Sequence, residues 1–201
     1  MSKGAYDWGD LPNSYGTERQ DDPTGPRHRV KNGGELYLGA LVDTESDGVP
    51  SVEADGDVGD EDGVSTIGVW QDGTNSAQVQ VTVGLGAGWL VGYIDFNNDG
   101  DLSDAGEVII SEEVSDAGSG IYTNVFTVPS GAISSTNLTA LYARFRLFPD
   151  EVIFPQFAFS GAADDGEVED YRFRFGAVGD YVWKDADGDD VRRPPGRWMC
   201  R

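Results

Sequence analysis

Cysteine and histidine are almost absent from this chain. Cys200, next to the last of 201 residues, is the only cysteine, and His28 is the only histidine. A single thiol excludes an internal disulfide, so no covalent staple holds the fold. The same scarcity leaves a zinc site without its usual nitrogen and sulfur ligands. A nucleophile–histidine pair would depend on His28 alone, within PTGPRHRV at residues 23–30, and no G-x-S-x-G occurs. No phosphate loop or dinucleotide glycine pattern is present either. Bases are scarce: 14 Lys and Arg face 36 Asp and Glu, for a net charge of -22. Such a surface repels nucleic-acid phosphates and anionic lipid heads, which excludes both as partners. No apolar run reaches the roughly 18 residues that a membrane span needs, so no membrane insertion is expected. The opening, MSKGAYDWGD, lacks the apolar stretch of a signal peptide, so an exported protein of this sequence is expected to be either a fragment or a user of another signal.

What is present is a β-former's composition. Apolar residues make 38% of the chain and aromatics 11%, enough for a packed core despite the charge. The 28 glycines often fall beside aspartate, the mark of many turns between short strands. In AQVQVTVG, Val79, Val81 and Val83 alternate with Gln78, Gln80 and Thr82, the period of a half-buried strand. In GWLVGYIDF, both faces are apolar, as in the middle of a sheet. ELYLGA, EVIISEEV, IYTNVFTV, NLTALYARFRLF and VEDYRFRF are further strand candidates. In NLTALYARFRLF, Leu141, Ala143, Phe145 and Leu147 point inward while Tyr142, Arg144 and Arg146 point outward. Arg172 and Arg174 have the polar face of VEDYRFRF, so carboxylate pairs across neighbouring strands are expected. No amphipathic helix exceeds about two turns. The pattern predicts an all-β fold, a β-sandwich with long acidic, glycine-rich loops, a jelly-roll-like variant being the alternative. Residues 1–34 read as an irregular segment packing on the sandwich, with Trp8 and Tyr15 capping a core edge. Residues 35–175 read as the sandwich domain. Residues 176–201 read as the truncated start of a second module followed by a basic tail.

Three explanations of the acid are open: a solubilising surface, adaptation to high salt, and cation sites. Clustering with glycine favours the last. The sharpest cluster is DFNNDGDLSDAGE, residues 95–107, between two strand candidates. Asp95, Asn97 and Asp99 put oxygens at alternate positions, and Gly100 permits the turn that would fold them round one ion. Calcium takes six to eight such oxygens, which makes Ca2+ the expected cofactor. Asp101, Ser103, Asp104 and Glu107 are further candidate ligands. The match to an EF-hand loop is partial: Gly106 stands where that loop has its bidentate Glu at position 12, Glu107 follows it, and no helices flank it. Residues 43–63 carry nine acids and no base, and Asp43, Glu45 and Asp47 make a second, weaker candidate. Glu167, Glu169 and Asp170 could complete a shell if their strand lies near the 95–107 loop. The alternative is that they cap an edge or pair with arginines. Two acids at suitable separation could also serve glycoside hydrolysis, though the chain is short for a hydrolase.

Several words of the sequence resemble one family. Gly166-Glu167-Val168-Glu169-Asp170, followed by Tyr171, spells the motif for which the bacterial GEVED domain is named. DWGDLPNSYGT, GPRH, LYLGALVDTESDG, DEDGV, GWLVGYIDFNNDGDLSDAGE and YARFRL are similar to the same family, together covering about residues 6–175. VGDYVWKDADGDD, within residues 177–190, resembles the opening of B-repeat-like calcium-binding modules of bacterial surface adhesins. The resemblance implies a non-catalytic structural or adhesion module of a large secreted or cell-surface protein. Neighbouring domains of that protein, and a glycan or surface-protein ligand, are the partners it implies. A carbohydrate-binding module with Trp70, Trp89 or Tyr93 as an exposed platform is the alternative reading.

Overall fold

The computed structural model describes residues 6–21, 24–31, 34–56, 59, 61–133 and 139–175. Among these the regular elements are almost entirely strands. In order the strands are β1 (Tyr6–Trp8), β2 (Arg27–Arg29), β3 (Tyr37–Leu38), β4 (Val64–Ile67), β5 (Ala77–Leu85) and β6 (Ala87–Ile94). Then follow β7 (Val108–Ser115), β8 (Ile121–Phe126), β9 (Thr139–Phe148), β10 (Ala162–Ala163) and β11 (Glu167–Phe175). Short 3-10 turns occur at Asn13–Tyr15 and Pro155–Phe157. No helix among the described residues is long and apolar enough to cross a membrane.

One sheet has the order β11-β9-β6-β7, all neighbours antiparallel. A second is built on β5, which pairs β8 along one edge and β4 and β3 along the other. The two share one core, so the architecture is a β-sandwich. Val79, Val81 and Val83 enter it from β5, and Gln78, Gln80 and Thr82 are half-buried on the opposite face, as the alternation predicts. Leu90, Ile110, Leu141, Ala143, Phe145 and Leu147 meet them from the other sheet. Full burial of such side chains contributes about 1.5–3 kcal/mol each.

The outer face of the β11-β9-β6-β7 sheet is not left to water. Leu11 and Tyr15, Ala54, and Leu102 pack there on Val91 and Tyr93 of β6, with Phe148, Val152 and Phe159 half-buried around them. A small third sheet, β1-β2-β10, lies beside this layer and touches β11. The expectation that Arg144 and Arg146 face outward is therefore corrected. They do lie opposite Phe145 and Leu147, but Arg144 is 0% and Arg146 1% exposed. Alternation assigns residues to a face; it does not say whether another layer covers that face.

The turn into β11 depends on Gly166. Its φ of 100° is left-handed, and a Cβ there would run into the Leu147 carbonyl oxygen. Gly166→Ala is expected to lower stability by more than about 2 kcal/mol in urea unfolding. Gly106→Ala, at the same φ but with open space around the new Cβ, should cost only about 1–2 kcal/mol.

Candidate functional site

The acidic loop 95–107 joins β6 to β7, and its oxygens are turned on its own backbone. Asp95 is fully buried. Its carboxylate accepts from the Asn98 N–H at 2.5 Å, the Gly100 N–H at 3.1 Å and the Tyr15 hydroxyl at 2.6 Å. Burial and the bond to Asp95 raise the Tyr15 pKa, so the hydroxyl stays a donor. Asn97 donates through Nδ2 to Asp99 and Asp104 and accepts through Oδ1 from the Asp99 N–H. Asp99 accepts from the Asp101 N–H, and Asp101 from the Ser103 N–H and hydroxyl. Glu107 accepts from the Asp104 N–H at 3.0 Å. Burial first, and then the charges of Asp95, Asp104 and Asp101, push the Glu107 carboxyl up to about 7. The loop is thus a run of Asx-type turns, which aspartate and asparagine form readily. Asn97, Asp99, Asp101, Ser103 and Asp104 are exposed on it.

The acids at 43–47 lie elsewhere. Glu45 bridges to Tyr6: its N–H donates to the Tyr6 carbonyl, and its carboxylate accepts from the Trp8 N–H at 3.1 Å. Asp47 accepts from the Arg19 and Gly48 N–H groups, and Asp43 is exposed before them.

The three acids at the start of β11 are all fully buried, and each reaches a different segment. Strand alternation sends Glu167 and Glu169 to one face and Asp170 to the other. Glu167 accepts from the Leu38 N–H of β3. Glu169 accepts from the N–H groups of Asp62 and Gly63, just before β4, and from the Tyr171 hydroxyl. Burial raises the Glu169 pKa against these bonds. Asp170 accepts from the Asp10 N–H at 2.7 Å and the Leu11 N–H at 2.9 Å. It also receives two guanidinium bonds from Arg144, its partner in the strand register, at 2.7 Å each. Val168, between them, donates its N–H to Asp7 at 2.6 Å. Gly9 runs so close that a Cβ would sit 2.5 Å from Asp170 Oδ2. The register sets Glu167 beside Leu147 and, one strand on, Leu90, whereas the 95–107 loop begins after Ile94.

Arg146 has a different environment. Its guanidinium donates to the carbonyls of Ala158, Ser160, Gly161 and Arg27, and its Nε to His28 Nε2 at 3.0 Å. The ring of Phe148 lies 4.7 Å from it. Burial pulls its pKa down to about 9, which leaves it charged at neutral pH. A guanidinium only donates, so His28 Nε2 must accept and Nδ1 carries the proton toward the Asp165 carbonyl at 2.7 Å. Burial, then the Arg146 charge, hold the His28 pKa well below its ordinary value. The lone histidine is a neutral hinge pin between β2 and β9. Sequence reasoning assigned it no such role, since its partners lie on distant segments of the chain.

The aromatic platform is mostly inside. Trp70 is 4% exposed and packs on Phe126, Phe173 and Phe175, while Tyr93 is buried with its hydroxyl donating to the Pro155 carbonyl. Trp89 is half-buried and donates to Ser111.

Residues 89–174 match one known family. A GEVED domain is present there. No curated protein and no solved structure matches the chain. The GEVED domain is non-catalytic. The residues that suggested a B-repeat-like module, 177–190, lie outside the described ones, and no comparison supports it. The expectation of a calcium cofactor is overturned. Among the described residues no group of three or more His, Cys, Asp or Glu side chains is placed to hold a metal ion. The physical reason is visible in the bonds above: the carboxylates of the GEVED motif and of the loop are committed to backbone N–H groups, tyrosine hydroxyls and Arg144. The GEVED motif's acids also hold residues 10, 11, 38, 62 and 63, which lie ahead of the family match.

Asp170→Ala leaves Nε and Nη2 of the buried Arg144 guanidinium and two backbone N–H groups without their acceptor, Nη1 keeping only the Phe159 carbonyl. It is expected to destabilise the fold by about 3–5 kcal/mol in urea unfolding. Replacing the pair by Arg144→Met with Asp170→Leu should recover only part of that loss, because the Asp10 and Leu11 amides stay orphaned. His28 predicts a pH effect of definite sign. The unfolded chain takes up this proton near pH 6.5 and the folded one only well below it, so stability falls as pH drops below about 6.5. Subtracting the urea midpoints of His28→Gln, which cannot be protonated, from those of the parent should isolate this slope between pH 7 and pH 5.

Proposed function

We propose that this chain is a structural and adhesive module of a larger secreted or cell-surface protein. The GEVED match over residues 89–174 carries the reading. The chemistry of the site agrees with it: the most buried acids, Glu167, Glu169 and Asp170, bind protein N–H groups and a guanidinium, an arrangement suited to rigidity rather than to proton transfer. In this reading residues 35–175 form the sandwich domain and the segment before them packs on it. The partners are neighbouring domains of the same protein and a ligand at the exposed surface. The test is protease shaving of intact cells that make the parent protein. Peptides from residues 89–174 are expected in the released fraction without lysis. Their recovery only after lysis would overturn the surface reading.

A further inference from the structure

A cavity of about 440 Å³ opens between the ends of β9 and β11 and the β6–β7 loop, lined by Asn98, Thr139, Ala140, Tyr142, Arg172 and Arg174. In a chain of net charge -22 it is notable for its walls. It has two guanidinium groups two residues apart on one face of β11, and none of its lining residues is acidic.

The two arginines already show what they bind. Both reach the carboxylate of Glu53, which projects from the loop ahead of β4: Arg172 Nη1 reaches Oε1 at 2.5 Å, and Arg174 Nη2 reaches Oε2. The Glu53 side chain is 44% exposed and that of Arg174 62%, so this carboxylate is held at the surface and can be exchanged. An exposed pair of this kind contributes only about 0.2–1 kcal/mol. Arg172 is held more firmly, 5.6 Å from the Tyr142 ring, with a buried Nε–H that has no acceptor among the described residues. Asn98 and Thr139 add an amide and a hydroxyl, the groups that pair with the hydroxyls of a polyol. The volume lies in the range of small-ligand sites. Repulsion by the remaining acids is screened beyond about 8 Å at physiological salt.

We propose that this cavity binds a carboxylated sugar, a uronic acid residue of an acidic polysaccharide, with Arg172 and Arg174 on its carboxylate and Glu53 as the internal competitor. The proposal rests on the reading of the chain as a non-catalytic surface module and names the ligand class of its exposed surface. It places binding at guanidinium groups rather than at an aromatic platform.

Calorimetric titration of the full chain with trigalacturonic acid tests it, with maltotriose and a polyglutamate peptide as comparisons. Trigalacturonate should give saturable heat that shrinks with salt, and maltotriose none. Glu53→Gln should tighten binding roughly two- to five-fold by removing the competitor. Arg174→Gln, at an exposed position, should weaken it about ten-fold or more while leaving the melting curve unchanged. Absence of heat from both the parent and Glu53→Gln would overturn the proposal, as would undiminished binding by Arg174→Gln. Polyglutamate binding as tightly as trigalacturonate would replace the sugar by an acidic peptide and overturn it too. Chromatography of the recovered trimer separates the two readings: shortened products would overturn the non-catalytic assignment, whereas intact trimer without binding sinks only the sugar site.

Discussion

Two guanidinium groups buried under a third layer are the constraint on which the rest of this fold depends. An arginine taken out of water is stable only if its donors all find acceptors. Arg144 and Arg146 stand on the face of β9 opposite the sandwich core, so a plain sandwich would leave them in solvent. Here that face is roofed, and the roof is made of the acceptors they require. Asp170 meets Arg144, and the carbonyls of residues 158, 160 and 161, with His28, meet Arg146. The covering segments are therefore specified by polar contacts as well as by Leu11 and Tyr15. Removing a donor or an acceptor exposes the cost of the other.

The GEVED motif is the other half of that arrangement. Its glycine makes a turn no other residue can make at that spot, and its acids alternate across the strand as any strand residues do. Because β11 has different neighbours on each face, the alternation distributes the acids to separate tasks. Glu167 and Glu169 hold the approaches to β3 and β4, and Asp170 holds the N-terminal segment and Arg144. Words that look unrelated along the chain, DWGD, GPRH, DGV at residues 62–64, YARFR and GEVED, meet in one polar network. The network ties residues far apart in the chain to one another.

Much of the sandwich was legible beforehand. Val79, Val81 and Val83 announced β5 by period alone, and the doubly apolar run around Trp89 to Ile94 announced a strand covered on both sides. The three-residue strands β1 and β2 were not legible, since so short a run has no period to read. The burial of Arg144 and Arg146 was hidden for another reason: alternation names the face but not its cover. The acidic loop misled in a third way. Asp95, Asn97 and Asp99 have the spacing of a cation loop, yet the same spacing suits Asx turns, and the difference lies in whether the oxygens converge or fold back on the backbone. The place of His28 was not legible, because its partner Arg146 lies 118 positions away, beyond the reach of any local pattern.

The central claim is that the buried acids of β11 make the N-terminal segment and the sandwich one cooperative unit. Native-state hydrogen exchange tests it most directly, through the amides of Asp10, Leu11, Leu38, Gly63 and Val168. If the carboxylate latches hold, these amides exchange only through global unfolding, with the same opening free energy and denaturant dependence as Phe145 in the centre of β9. Exchange of Asp10 and Leu11 through a local opening of much lower free energy, while Phe145 remains protected, would contradict the account.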